Sequence, residues 1–182
     1  MRSNRIRILV LLVWGSAIAG RAQTRTEPQP PSVSGKLSLI TKSGDLKPAR
    51  LAEVFLLPGG SKDSPAAQYL EALKKKADAY SKEIANRGEY SDVIDCQAVI
   101  IAKDTAHETM ASLKESQFQG VRADEEGLFR FSAVEPKAYL LIAFGRAGLN
   151  EAYWQETTVV KSGENVALKL PSPLASCFMN PE

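Results

Sequence analysis

Side chains that perform most enzyme chemistry are scarce in this sequence of 182 residues, which has one histidine and two cysteines. His107 is followed by a glutamate, but the second histidine of the zinc-protease spacing His-Glu-x-x-His is absent. One histidine and two thiols exclude most zinc sites, haem motifs and all but a single Ser-His-Asp set. We therefore predict a protein without catalytic residues, metal ligands or a cofactor.

Acidic residues offer one weak alternative. The run Asp124-Glu125-Glu126 could attract calcium, but calcium loops place their oxygens at alternating positions over about a dozen residues. Consecutive carboxylates are more typical of a solvated turn. A small hydrolase that uses Asp124, Glu126 and Glu108 remains a minor alternative, because no pattern places two of these carboxylates on facing elements.

Tyr153 and Trp154 are adjacent aromatic residues on a predicted strand. Successive side chains of a strand point to opposite faces, so one ring is expected to face inward and the other outward. The outward ring would offer a ligand platform for a sugar or a partner. Carbohydrate binding through Trp154 is therefore an alternative function, and ordinary packing against a predicted helical hairpin is the structural interpretation.

Residues 1–22 have the three parts of a secretory signal peptide: a cationic start, an uncharged stretch and small residues. Cleavage after Ala19 or after Ala22 fits this pattern. The uncharged stretch, 8–19, is shorter than the roughly 20 residues that cross a bilayer, although an uncleaved anchor is the alternative. We predict a secreted or periplasmic protein that does not span the membrane once the signal is removed.

Export would place Cys96 and Cys177 in an oxidising compartment, where an even number of cysteines suggests a disulfide. Two buried thiols are the alternative, because the sequence does not show whether the two α-carbons approach closely enough.

The net charge argues against one class of partner. The sequence has 23 Lys and Arg against 21 Asp and Glu, a formal net charge of +2. Four arginines lie in the first 22 residues, and without them the balance is 19 against 21, or −2. The positive excess belongs to the predicted leader, so nucleic-acid binding is not expected.

The elements that would position these residues are mainly strands. A Pro-rich linker is predicted at 23–32, and period-two alternation then predicts seven strands. They lie at 33–41, 50–57, 119–124, 128–134, 138–144, 151–160 and 165–170. In the run 138–144, the residues of both alternating sets are apolar. This indicates a central strand covered on both faces.

The segment 64–116 has a helical pattern instead. Ser64 can cap a helix, Pro65 suits a first helical position, and apolar residues recur at three- and four-residue steps. This predicts a two-helix hairpin that projects from the strands on either side. The predicted organisation is thus a sandwich at 33–171, containing the hairpin, and a C-terminal tail at 172–182.

A turn ending in Gly127, the alternating Phe129 and Phe131, and a Pro before the Tyr139 strand form a recognisable pattern. The matching positions are Gly127, Phe129, Phe131, Val134, Pro136, Tyr139 and Leu141. This pattern resembles carboxypeptidase regulatory-like domains, which are secreted, transthyretin-like sandwiches. The resemblance implies a mainly β fold, a seven-stranded antiparallel Greek-key β-sandwich, here with the helical hairpin inserted. Lys137 stands where the family usually has glycine.

Together these features predict a non-catalytic exported module that binds or positions an envelope or extracellular protein or glycan. The expected contact surface is the inserted hairpin, or the sheet edge beside it, where an extended peptide could add as a strand.

Overall fold

Two β-sheets and a pair of long helices make up the fold in a computed structural model, which describes residues 30–41, 44–87 and 91–178. The predicted signal peptide and residues 23–29 of the predicted linker lie outside these residues. The elements are β1 (Ser32–Ile40), β2 (Leu46–Pro48), β3 (Arg50–Pro58), α1 (Pro65–Arg87), α2 (Ser91–Ser112), β4 (Gln119–Arg122), β5 (Leu128–Phe131), β6 (Ala138–Ala147), β7 (Asn150–Val159), β8 (Asn165–Leu170) and β9 (Ala175–Phe178).

The smaller sheet is built around β1. Its strand β1 pairs antiparallel with β2 and β5, and parallel with β8. The parallel pair corrects the expectation of a wholly antiparallel sandwich. It arises because β1 and β8 are far apart in sequence, so a long crossover can bring them side by side in the same direction.

The larger sheet has the order β4-β3-β6-β7-β9, and all of its neighbouring strands are antiparallel. All seven predicted strands are present, but the described chain has nine. The additional strands, β2 and β9, have three and four residues, too short to show a period-two pattern. β9 also lies within the segment that was predicted to be a tail.

The two sheets face each other across an apolar core. Phe129 and Phe131 of β5 meet Tyr139 of β6 in this core, as the sequence predicted. Gly127, in the turn before β5, has a φ of 74°, and a Cβ there would lie 2.4 Å from the carbonyl oxygen of Leu37. The turn therefore requires glycine, because a side chain would be both strained and obstructed.

The helical hairpin forms a third layer. Ser64 caps α1, since its hydroxyl accepts a hydrogen bond from the Ala67 N–H at 3.3 Å. The hairpin does not project: it packs on the outer face of the larger sheet, which explains why β6 is apolar on both faces. Its contacts there are Tyr69, Val99, Ala102, Ala106 and Met110 against Leu57, Leu140, Ile142 and Phe144. No helix in the described ranges is long and apolar enough to cross a membrane.

Candidate functional site

Tyr153 and Trp154 point to opposite faces of β7, as their adjacency predicted, but both are buried. Trp154 is 1% exposed in the core between the sheets, and Tyr153 is 3% exposed beneath the hairpin. Tyr153 stacks on Phe144 with ring centroids 5.2 Å apart. The predicted ligand platform is therefore wrong, because both faces of this sheet are covered by other layers.

A buried pair of tyrosines joins the hairpin to the sheet. The Tyr69 hydroxyl of α1 donates a hydrogen bond to the Tyr153 hydroxyl at 2.9 Å, and Tyr153 donates to the side-chain oxygen of Gln155. Burial raises the pKa of Tyr69 and raises the pKa of Tyr153 to about 12. Both phenols are neutral at physiological pH, so the pair stabilises the structure rather than exchanging protons.

The acidic candidates are not brought together as a catalytic pair. The Asp124 carboxylate accepts hydrogen bonds from the N–H groups of Glu126 and Leu128, which makes it part of a turn. Glu108 lies on α2 and pairs with Lys76 of α1 at 2.7 Å. Within the described ranges, no group of three or more His, Cys, Asp or Glu residues could hold a metal ion.

Cys96 lies on α2 and Cys177 on β9, and the structure contains no disulfide between these two residues. The structure therefore differs from the expected bond. Backbone pairing of β9 with β7, in which Cys177 lies opposite Glu151, holds the C-terminal segment without a covalent link.

A charged cavity of about 360 Å³ opens between α2 and the larger sheet. Four basic side chains line it from four elements, and we call it the cationic cleft. They are Arg50 of β3, Lys103 of α2, Arg122 of β4 and Arg146 of β6. Glu53 and Glu151 line the same cavity, so basic groups outnumber acidic ones by two.

Both glutamates of the cationic cleft already have partners. Arg146 forms an ion pair with Glu151. Glu53 is shared, because His107 lies 3.1 Å and Arg122 lies 3.9 Å from its carboxylate. These contacts hold the acidic groups against the wall of the cleft.

The start of β3 is irregular where it borders the cationic cleft. The register with β6 shifts between Arg50 and Glu53, and Leu51 has a φ of 52°. Leu51 is also 57% exposed, although it is apolar. Bulges and left-handed non-glycine residues carry a backbone cost and are found preferentially beside binding sites.

A second unusual surface lies along β7. This strand pairs with β6 along its whole length, but β9 pairs only with residues 150–153 on the other side. Leu174 ends this pairing with a hydrogen bond from its N–H to the Tyr153 carbonyl at 2.7 Å. Beyond that point, 154–159 has no strand partner on this side among the described residues. We call it the open edge of β7.

The segment 171–174 contains two prolines, and it connects β8 in the smaller sheet to β9 in the larger one. Proline has no N–H to donate, so Pro171 and Pro173 cannot add hydrogen bonds to β7 beyond the one from Leu174. Main-chain groups alternate in direction along a strand. Those of Gln155, Thr157 and Val159 therefore point to the open side, as the Tyr153 carbonyl does.

A shallow apolar hollow of about 250 Å³ lies beside the open edge. It is lined by Ala66 and Leu70 from α1 and by Thr157 and Val159 from β7. Leu70 is 40% exposed and Val159 is 62% exposed. An extended peptide paired with the open edge would place every second side chain on the same face of the sheet as this hollow.

Neither surface was predicted at the level of residues. The sequence indicated only that a sheet edge beside the hairpin could accept a strand. The four basic residues of the cationic cleft are separated along the chain and form no motif. The sequence offers only one weak indication of the cationic cleft, which is that the apolar Leu51 follows Arg50 at the start of a predicted strand.

Comparisons with known proteins give only distant likenesses. No protein-family model matches the sequence, and no curated protein matches it significantly. A proposed carbohydrate-binding protein from Pseudomonas aeruginosa is 13% identical at a TM-score of 0.41, over 79% of this chain and 90% of that one. The fimbrial protein FimP from Actinomyces oris is 15% identical at a TM-score of 0.39, over 81% of this chain and 30% of that one. The pilus backbone protein RrgB from Streptococcus pneumoniae is 10% identical at a TM-score of 0.31, over 76% of this chain and 40% of that one.

This chain therefore spans less than half of the length of the fimbrial and pilus proteins. Likenesses at these TM-scores bear on neither its ligand nor its activity. The mainly β architecture with two sheets follows from the structure itself. The resemblance to carboxypeptidase regulatory-like domains stays a prediction.

Proposed function

We propose that this chain is a non-catalytic, exported β-sandwich module that binds or positions an envelope or extracellular protein. The contact surface in this proposal is the open edge of β7, where an extended segment of the partner adds as a further strand. Unpaired main-chain groups would supply the affinity, and the apolar hollow beside Leu70 and Val159 would select alternate side chains.

The main supporting observation is that, among the residues that the structure describes, 154–159 pair with a strand on one side only. Proteins usually protect such edges with charged residues, proline or a covering loop, because exposed edges aggregate. This edge contains no proline and a single charged residue, Glu156. An edge left unprotected beside exposed apolar side chains is what strand addition requires.

Substitutions at the middle of the open edge test the proposal. Binding peptides are first selected from a random display library, and their affinities are then measured by fluorescence anisotropy. Thr157→Pro removes an N–H that points to the open side, whereas the control Thr157→Val keeps it. We expect about tenfold weaker binding for Thr157→Pro, which corresponds to roughly one hydrogen bond, and less than about twofold change for Thr157→Val.

Selected peptides that bind Thr157→Pro as tightly as the wild type would contradict strand addition at this edge. Far-UV circular dichroism of both variants shows whether the sheet is retained, since proline is tolerated where its missing N–H faces solvent.

A further inference from the structure

We propose that the cationic cleft is a second binding site, which takes an acidic small molecule or acidic sugar with two or more oxyanion groups. This site is distinct from the open edge of β7. The cleft borders the start of β7 at Glu151, whereas the open edge begins at residue 154 and runs away from it. The inference therefore does not depend on strand addition.

The charge balance of the cleft sets the charge of the ligand. Arg146 is paired with Glu151, and Arg122 shares Glu53 with His107. Arg50 and Lys103 form no ion pair with any described residue, although both line the cavity. Two positive charges thus remain to be neutralised, which a ligand with two anionic groups would do.

Such a concentration of positive charge in one cavity lowers the stability of the folded state. Without the predicted leader, the balance over the chain is 19 basic against 21 acidic residues, so an even distribution would place no excess of cations here. Like charges around one cavity repel each other, and low-dielectric walls strengthen the local field that attracts an anion. The strained backbone at Leu51, on the rim of the same cavity, adds a second cost at this position.

The shape and chemistry of the cleft define the class of ligand. Its volume of about 360 Å³ lies at the small end of the range for small-molecule sites, roughly 300–1,000 Å³. Three of its four basic residues are arginines, whose forked guanidinium groups fit carboxylate and phosphate oxygens. Val99 of α2 and Phe144 of β6 form apolar parts of the wall. These could contact the carbon skeleton between the two anionic groups of the ligand.

Isothermal titration calorimetry of the full mature chain tests this site with four probes: citrate, trigalacturonate, inorganic phosphate and a neutral trisaccharide. The double variant Arg50→Glu/Lys103→Glu reverses the two unpaired charges of the cleft. The matched control Lys74→Glu/Lys75→Glu makes the same change of net charge on the exposed surface of α1.

We expect the wild type to bind citrate, trigalacturonate or both, and not the neutral trisaccharide. Binding of citrate alone identifies a small polycarboxylate as the ligand, and binding of trigalacturonate alone identifies an acidic sugar. The cleft variant should lose at least about tenfold in affinity, and the control should change by less than about threefold. Glu53→Gln should tighten binding by about threefold, because it removes one negative charge from the wall and releases Arg122.

Three results would overturn the proposal. One is equal weakening in the two double variants, which would show unspecific attraction. The second is a wild type that binds none of the organic anions, and the third is binding of inorganic phosphate alone. Arg50→Gln, a neutral change at an exposed position, is the second variant if the double variant does not fold. It should still weaken binding, whereas unchanged affinity would count against the site.

Discussion

The tyrosine pair between α1 and β7 is the clearest example of a single contact that joins two layers. Tyr69 and Tyr153 are both buried, and their hydroxyls are 2.9 Å apart. Neither residue was predicted to meet the other, since they lie 84 positions apart. The sequence placed Tyr153 correctly on a strand, but only the packing of the hairpin shows why its ring is buried.

This pair predicts a loss of stability in alkaline solution. Burial raises the pKa of Tyr153 from 10.0 to about 12, and it also raises the pKa of Tyr69. The unfolded state therefore loses these protons first, near pH 10, while the folded state keeps them. The stability that the two buried phenols contribute is fully present below pH 10, and it falls as the pH rises toward 12.

Tyr69→Phe tests this assignment. At pH 8 we expect the free energy of unfolding to fall by about 1 kcal/mol, because one buried hydrogen bond is lost. Between pH 10 and 12 the variant should lose less stability than the wild type, because one buried phenol no longer ionises on unfolding. Urea unfolding followed by circular dichroism measures both effects, and identical pH slopes for the two proteins would refute the role of Tyr69.

At the scale of elements, the sequence predicted strands and helices well where their periodic patterns were long. The cap at Ser64 and the apolar stripe of α2 follow from residue types and spacing, and both are present in the fold. β9 was missed because four residues give no measurable period. Its absence from the prediction also hid the open edge of β7, since that edge is defined by where β9 stops.

The hairpin is an integral layer, so its removal should destroy the fold. Replacing residues 64–116 by a short Gly-Ser linker would expose the outer face of the larger sheet, including Leu140, Ile142 and Phe144. Burial of each such side chain contributes about 1.5–3 kcal/mol, and a whole domain is stable by only about 5–15 kcal/mol.

We therefore expect the shortened chain to aggregate or to lack cooperative unfolding. Size-exclusion chromatography and thermal unfolding by circular dichroism measure this. A monomeric product with a sharp unfolding transition would show that the hairpin is an appendage on an independent sandwich, as the sequence pattern had suggested.

For the whole molecule, the sequence predicted a mainly β fold with a helical insertion, and the structure has this composition of elements. It could not predict that three layers stack on one another, because periodicity shows which face of an element is apolar and not what covers it. Trp154 illustrates this limit: its strand was predicted correctly, but the sequence left open whether its ring is exposed or buried. The cationic cleft could not be predicted for the same reason, because it forms where α2 meets four strands of the larger sheet.

The central claim, that β7 offers an unpaired edge for strand addition, is tested most directly by amide hydrogen exchange of the ligand-free protein, measured by NMR. The N–H groups of Gln155, Thr157 and Val159 should exchange at least about a hundredfold faster than those of Glu156 and Thr158, which face β6. Equal protection at all five residues would show that another part of the chain covers this edge, and would contradict the account.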